Sequence, residues 1–205
     1  DFSFRGMSSV DDAALSGAGH LTSFLGTDTL PAIRLLETYY EGWQSRLVGG
    51  SVPATEHSVM SMGGRDEGEF ETFRRLITET YPDGILSIVS DTWDLWRVLT
   101  DFMPQLKDAI STRKGKIVIR PDSGDPVKII CGDPNVNSDE LDLPHAKGVV
   151  ELLAETFGVT VNSKGYKELS PVVGVIYGDS ITPTRCAQIL ERLEQKGFAS
   201  SCVVF

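Results

Sequence analysis

Short apolar runs recur along the chain at 21–25, 47–52, 85–90, 116–120, 172–177 and 201–205. Most of the stretches between them carry apolar residues at three-to-four spacing: Leu30, Ile33 and Leu36 with Leu35 and Tyr39; Phe70, Phe73, Leu76 and Ile77; Trp93, Trp96, Val98 and Leu99; Val149, Leu152 and Leu153; Ile189, Leu190 and Leu193. Runs of this length, rich in β-branched residues, predict strands buried on both faces, and the longer spacing predicts helices that turn one face to a core. Strand then helix, repeated and closing on a strand, is the pattern of an α/β protein with a parallel sheet. The segment 129–145, IICGDPNVNSDELDLPH, breaks the rhythm; Gly132, Pro134, Asn135, Asn137 and Pro144 predict a surface loop with solvated acids.

A parallel sheet can be doubly wound or closed into a barrel. No G-x-G-x-x-G follows the first run, so the dinucleotide-binding turn is missing, whereas polar clusters end nearly every run, as barrel loops require. We therefore expect residues 1–205 to form part of one irregular parallel (β/α) barrel domain, with 129–145 as a surface loop within it. The runs are fewer than a complete barrel needs, so the barrel is expected to be incomplete at both ends.

The polar clusters in question are GGSVPATEHS (49–58), ILSIVSDTWD (85–94), KIVIRPDSGDP (116–126) and VVGVIYGDS (172–180). Parallel sheets gather their chemistry at the carboxyl ends of their strands, so this placement points to a site as well as a fold. Composition narrows the chemistry. A formal charge of -10 over 205 residues argues against nonspecific nucleic-acid binding, and leaves an anionic substrate possible only where local arginines or a metal offset the field. No stretch approaches the roughly 18 apolar residues of a membrane span, and the amino terminus lacks a signal-peptide pattern, so a cytoplasmic protein without membrane contact is expected. Cys131, Cys186 and Cys202 show no C-x-x-C or Cys/His spacing, which favours plain thiols over a disulfide framework or a zinc site. His20 and His145 have no partner motif and read as surface histidines.

Three constellations can carry chemistry. His57, beyond the run around Val48, can act as a general base or phosphoryl acceptor, or simply cap a helix; Asp91, at the end of another run, can accept from one ring nitrogen and leave the other free to react. Arg120, Asp122 and Asp125 in IRPDSGDP offer donors for an anion or a ring face and hard oxygens for a ribose or Mg²⁺, or else a salt bridge across a turn. Gly178 and Asp179 offer close backbone approach and an acid for a diol, or an ordinary turn and cap completed by Ser180 or Thr182. The opening DFSFRGMSS adds Asp1, Arg5, Ser8 and Ser9, and Asp28 reads as a helix cap.

In this order, DFSFRGMSS, FLGTDT, SVPATEHS, IVSDTWD, IRPDSGDP, NSKGYKEL and VIYGDS resemble the nicotinamide phosphoribosyltransferases, in the nicotinate/nicotinamide group of type II phosphoribosyltransferases. The resemblance spans essentially the whole chain and covers the central part of such an enzyme, its catalytic barrel. It implies transfer of phosphoribosyl from 5-phosphoribosyl 1-pyrophosphate to nicotinamide, giving nicotinamide mononucleotide and pyrophosphate, with Mg²⁺ and in a homodimer. By the same resemblance His57 matches the histidine phosphorylated by ATP and Asp91 its orienting acid. Arg120 matches the arginine lining the base pocket, Asp122 the acid near ribose and metal, Gly178 and Asp179 the ribose-contacting pair, Asp1 the acid that accepts from the carboxamide, and Ser87 a nearby pocket serine. A carboxylate at Asp1 accepts an amide N–H but repels the carboxylate of nicotinate, so it should favour the amide. The family's glycine-rich phosphate loop is expected just after Phe205, and its base-stacking aromatic just before Asp1. Competing expectations are a nicotinate phosphoribosyltransferase, a non-catalytic base-binding fragment, and an unrelated barrel hydrolase using Asp91 and Asp122 as an acid/base pair.

Overall fold

The computed structural model describes residues 3–40 and 47–205. The chain folds as two compact units, Asp1–Val52 and Pro53–Phe205.

In the first unit the helices Val10–Leu21 and Leu30–Tyr39 pack on each other around Ala18, Leu21, Ala32, Leu36 and Val48. The first of these takes only the first position, Leu21, of the strand predicted at 21–25. Its buried face is Ala13, Ala14, Gly17, Ala18 and Leu21, small residues at helical spacing that a search for bulky apolar positions passes over. Gly17 permits the close crossing: a Cβ there would lie 2.6 Å from the Ala32 Cβ. Ser9 opens the helix by accepting from the Asp12 N–H at 3.0 Å, and Ser8 Oγ donates to Asp12 at 2.9 Å, so both serines are structural. The strand predicted at 47–52 contracts with its partner at 21–25 to one parallel bridge between Gly26 and Gly50, held by Thr27 N–H to Gly50 C=O at 3.0 Å and Gly50 N–H to Leu25 C=O at 2.9 Å. Glycine has no side chain to extend such pairing, which is the physical reason for its brevity. Asp28 does not cap the following helix; Thr29 holds the preceding position without a side-chain cap, and Asp28 accepts from Ser51 Oγ.

The second unit contains the sheet. Among the described residues it has four parallel strands in the order β1 (Asp83–Val89), β2 (Lys114–Arg120), β5 (Val173–Ile176), β6 (Val203–Val204), together with an antiparallel hairpin of β3 (Val159–Val161) and β4 (Lys167–Leu169). This is a mixed α/β fold on a parallel sheet, with strands where the runs at 85–90, 116–120, 172–177 and 201–205 predict them. Residues 53–55 add to the free side of β1 through Thr55 N–H to Ser87 C=O at 3.0 Å and Ser87 N–H to Pro53 C=O at 2.9 Å. Leu86, Ile88, Ile117, Ile119, Val173 and Val175 are buried in one core with Phe73, Phe102, Met103, Ile110, Leu153 and Ile189. Phe102 meets Phe70 and Phe73 edge-on at centroid distances of 5.3 and 5.9 Å. The segment read as a loop at 129–145 begins inside the helix Pro126–Cys131, where Ile130 and Cys131 are buried, and ends in the short helix Pro144–Lys147.

Glu69, on the helix Glu67–Arg75, is 1% exposed, and its Oε1 has no hydrogen-bond partner among the described residues. Burial pushes its carboxyl up to about 7 from an ordinary 4.5, against the pull of Arg97 and Arg65 and with the help of Asp94 and Asp66. The folded state then keeps a proton that the unfolded chain has lost, so stability falls as pH rises from about 4.5 to about 7 and stays lowered above. Glu69→Gln is expected to leave stability near its parent value at pH 4.5 and to raise it by roughly 2–3 kcal/mol at pH 8. Denaturant melts at the two pH values measure this, and equal stability at pH 8 would refute the burial argument.

Candidate active site

The chain arrives at the sheet through residues 53–55 and turns at Glu56, whose backbone is extended, into the helix His57–Met62. That turn places the His57 imidazole, with a side chain 47% exposed, beside the loops that follow β1 and β2. The β1–β2 pairing continues one step past the strands, Ser90 N–H donating to Arg120 C=O at 3.0 Å, which brings Asp91 level with the start of RPDSGDP. In that turn Gly124 has φ +91, a conformation glycine adopts without penalty, and Asp125 closes it by capping the helix Pro126–Cys131 through the Val127 N–H at 3.0 Å.

Asp91 is the best-held of these groups. Its Oδ2 accepts from the Asp122 N–H at 2.8 Å and from Ser123 Oγ, while its Oδ1 is buried without a hydrogen-bond partner among the described residues and lies 3.9 Å from His57 Nε2. Asp122 approaches the same ring nitrogen, Oδ2 to Nε2 at 3.6 Å, and its other oxygen is 3.6 Å from Arg120 Nη2. On the opposite side of the ring Nδ1 is 3.3 Å from Thr92 Oγ1. Two carboxylates on the Nε2 side favour a proton there, and in that tautomer the Nδ1 lone pair accepts from the Thr92 hydroxyl. The pairing expected from sequence between His57 and Asp91 is thus joined by Asp122, and the salt bridge foreseen between Arg120 and Asp122 is present as well. Arg120 ends β2, its side chain only 17% exposed.

Ser87 lies on β1, buried, with Oγ lacking a hydrogen-bond partner among the described residues. Gly178 and Asp179 follow β5. Asp179 accepts from Ser180 Oγ at 2.8 Å, and Thr182 caps the helix Pro183–Gln195 through the Arg185 N–H at 3.2 Å. The ordinary turn-and-cap role is therefore in place around this pair. Asp1 lies outside the described residues.

Four groups around the cluster have no individual role that the sequence announces. Thr92 and Ser123 contact His57 and Asp91. Buried Thr55 accepts the Val89 N–H at 3.0 Å, tying the His57 segment to the end of β1. Buried Tyr177 donates its phenol to the Gly124 carbonyl at 3.2 Å. Its phenol is pushed up to about 12, first by burial and then by Asp91, Asp179, Asp122 and Asp125, so it stays a neutral donor. All four stand inside or beside the strand-end motifs, which is the only sequence signal they carry.

An imidazole, a guanidinium and a group of carboxylates collected at the carboxyl ends of parallel strands define a protein of the α/β class with a polar, charged site at its strand ends. Comparison with known sequences makes the assignment narrower. The nicotinate phosphoribosyltransferase (NAPRTase) family matches across residues 1–205, and the chain belongs to that family. A protein of Acinetobacter baylyi named nicotinamide phosphoribosyltransferase is 60% identical, aligned with 100% of this chain and 41% of its own length. Proteins of the same name from Mycoplasma pneumoniae and Xanthomonas campestris are 42% and 40% identical over 100% of this chain, covering 42% and 40% of their own lengths. The chain thus spans about two fifths of the relatives it matches.

Proposed function

We propose that the protein to which this chain contributes transfers phosphoribosyl from 5-phosphoribosyl 1-pyrophosphate to nicotinamide, as a pentosyltransferase of pyridine-nucleotide salvage. The observation that carries this reading is the cluster of His57, Asp91, Asp122 and Arg120 at the ends of β1 and β2, in a chain so similar to proteins bearing that name. In the reaction the pyridine nitrogen attacks the anomeric carbon, the bond from that carbon to the pyrophosphate oxygen breaks, and its electron pair leaves with pyrophosphate. Charge develops positive on the sugar and negative on the leaving group, so carboxylates near the ribose and cations near the phosphates are the groups required. Asp122 and Asp179 serve the ribose, Arg120 and Ser87 line the base pocket, Gly178 permits close approach, and Asp1 accepts from the carboxamide.

Mg²⁺ would neutralise the leaving pyrophosphate. Among the described residues no group of three or more His, Cys, Asp and Glu side chains gathers for a metal. The hard oxygens of Asp122 nonetheless suit an ion that takes most of its ligands from phosphate and water, as Mg²⁺ commonly does. ATP is assigned as the coupling cosubstrate that phosphorylates His57 at Nδ1. The barrel is proposed to be completed by the remainder of the protein, which is proposed to work as a cytoplasmic homodimer. No helix among the described residues is long and apolar enough to cross a membrane. The family description favours a second reading, nicotinate as the base.

Pyrophosphate release from the full-length protein, supplied with the phosphosugar and each base in turn, tests the proposal. Release with nicotinamide is expected; preference for nicotinate would establish the second reading, and silence with both would overturn phosphoribosyl transfer. Asp1→Ser is expected to reduce the kcat/KM ratio of nicotinamide to nicotinate by about tenfold, because the lost carboxylate both accepts from one base and repels the other. An unchanged ratio would remove Asp1 from base recognition.

A further inference from the structure

The loops after β2 and β5 carry different parts of the site, Asp122 on the first and Gly178 with Asp179 on the second. Their strands are not in register contact beyond Ile119 and Val175. Tyr177 spans the gap. It is fully buried, its N–H donates to Val204 C=O at 3.0 Å, and its phenol reaches across to the Gly124 carbonyl at 3.2 Å. Gly124 is the left-handed residue of the turn whose next neighbours back, Asp122 and Ser123, hold Asp91.

We propose that Tyr177 is a positioning residue that sets the separation of the two loops and, through the Gly124 turn, the seat of Asp91 and Asp122 beside His57. The inference rests on the phosphoribosyl-transfer reading for its kinetic consequence, but not for its structural one. The chain of contacts is direct: phenol to Gly124, Ser123 and the Asp122 amide to Asp91, and both carboxylates to the imidazole. A phenol among four acids remains protonated at working pH, so the donor it offers the carbonyl is constant. Without it the Gly124 carbonyl loses that hydrogen bond, and the turn is freer to shift the acids it carries.

The test uses full-length protein with Tyr177→Phe, which keeps the ring in the core and removes one oxygen. Tyr166→Phe is the control, because it removes a phenol bonded to Glu194 at 2.9 Å on the hairpin and helix away from the strand-end loops. Tyr177→Phe is expected to raise the KM for the phosphosugar about three- to tenfold while the KM for nicotinamide changes less than about twofold, as loss of one hydrogen bond acting on ribose-side groups implies. Backbone amide exchange over 122–125 is expected to quicken in Tyr177→Phe only, with the melting temperature within a few degrees of the parent. Equal KM shifts for both substrates, or exchange over 122–125 as slow in the variant as in the parent, would overturn the positioning role. If the parent releases no pyrophosphate, the phosphoribosyl reading fails by itself, and the exchange measurement still decides whether Tyr177 holds the turn.

Discussion

Replacing His57 by alanine in the full-length protein is expected to lower turnover-linked ATP hydrolysis by at least about a hundredfold while leaving measurable phosphoribosyl transfer. The imidazole is nearly half exposed, has its Nε2 side against Asp91 and Asp122, and leaves Nδ1 beside Thr92. A nitrogen so placed can attack the γ-phosphorus of ATP: the N–P bond forms, the bond to the bridging oxygen breaks, and ADP departs with the electron pair. Methyl cannot do this, whereas the groups assigned to ribose and base, Asp122, Asp179 and Arg120, all remain. Parallel assays of ADP and pyrophosphate separate the two activities. ATP consumption equal to the parent's would rule out His57 as the phosphoryl acceptor, and loss of pyrophosphate release in proportion to ADP would show that the imidazole serves transfer itself.

Asp91→Asn is expected to cut the same coupling by about tenfold, for a reason that depends on which oxygen does what. Oδ2 accepts two donors, the Asp122 N–H and Ser123 Oγ, so the asparagine carbonyl must take that place. Its NH₂ then occupies the position of Oδ1 and faces His57 Nε2. A donor there opposes a proton on Nε2 and leaves Asp122 Oδ2, 3.6 Å away, as the remaining carboxylate that favours it, so a smaller share of the rings carries the Nδ1 lone pair. Because the carbonyl keeps both loop hydrogen bonds, the variant should melt within a few degrees of the parent, which distinguishes a tautomer effect from unfolding. Unchanged ADP formation per pyrophosphate in Asp91→Asn would end the orienting role. Asp91→Ala, by contrast, strips the Asp122 amide and Ser123 of their acceptor and should lose thermal stability as well.

Both results turn on contacts that no spacing along the chain announces. His57, Asp91 and Asp122 are 34 and 31 residues apart in turn, and the sequence marks them as ends of apolar runs and by resemblance rather than as neighbours. Sequence pairs His57 with Asp91 and places Asp122 with the ribose; in the structure Asp122 faces the imidazole too. The Arg120–Asp122 salt bridge is foreseeable because the two residues share one turn. Thr92, Ser123 and Tyr177 are not, since a hydroxyl in a polar loop has many possible partners until the loop is folded.

The pattern at the level of elements has the same cause. Runs such as ILSIV and KIVIR form β1 and β2 because the sheet is covered toward their carboxyl ends, Leu86 to Val89 being buried in β1 and Ile117 and Ile119 in β2. Ile85 is exposed and Val118 half-buried, so coverage of both faces is met over part of each run only. The β3–β4 hairpin escapes prediction because its three-residue strands carry no buried run. It is organised instead by Asn162, whose side chain accepts from the Lys164 and Tyr166 N–H groups at 3.0 and 3.1 Å. The strand expected at 21–25 shrinks to the Gly26–Gly50 bridge because the preceding helix runs on to Leu21 and a turn closes on His20 C=O through the Ser23 and Phe24 N–H groups.

By itself the sequence determined the α/β class, the strands at the centre of the sheet, and the residue types that end them, because burial and backbone geometry act locally and repeat with a fixed period. Tertiary structure alone decided which nitrogen of His57 the carboxylates face, which oxygen of Asp91 stays without a partner among the described residues, and which buried phenol reaches the Gly124 turn. Those outcomes depend on separations of a few ångströms between residues far apart in the chain, and only the packing of helices on the parallel sheet sets them.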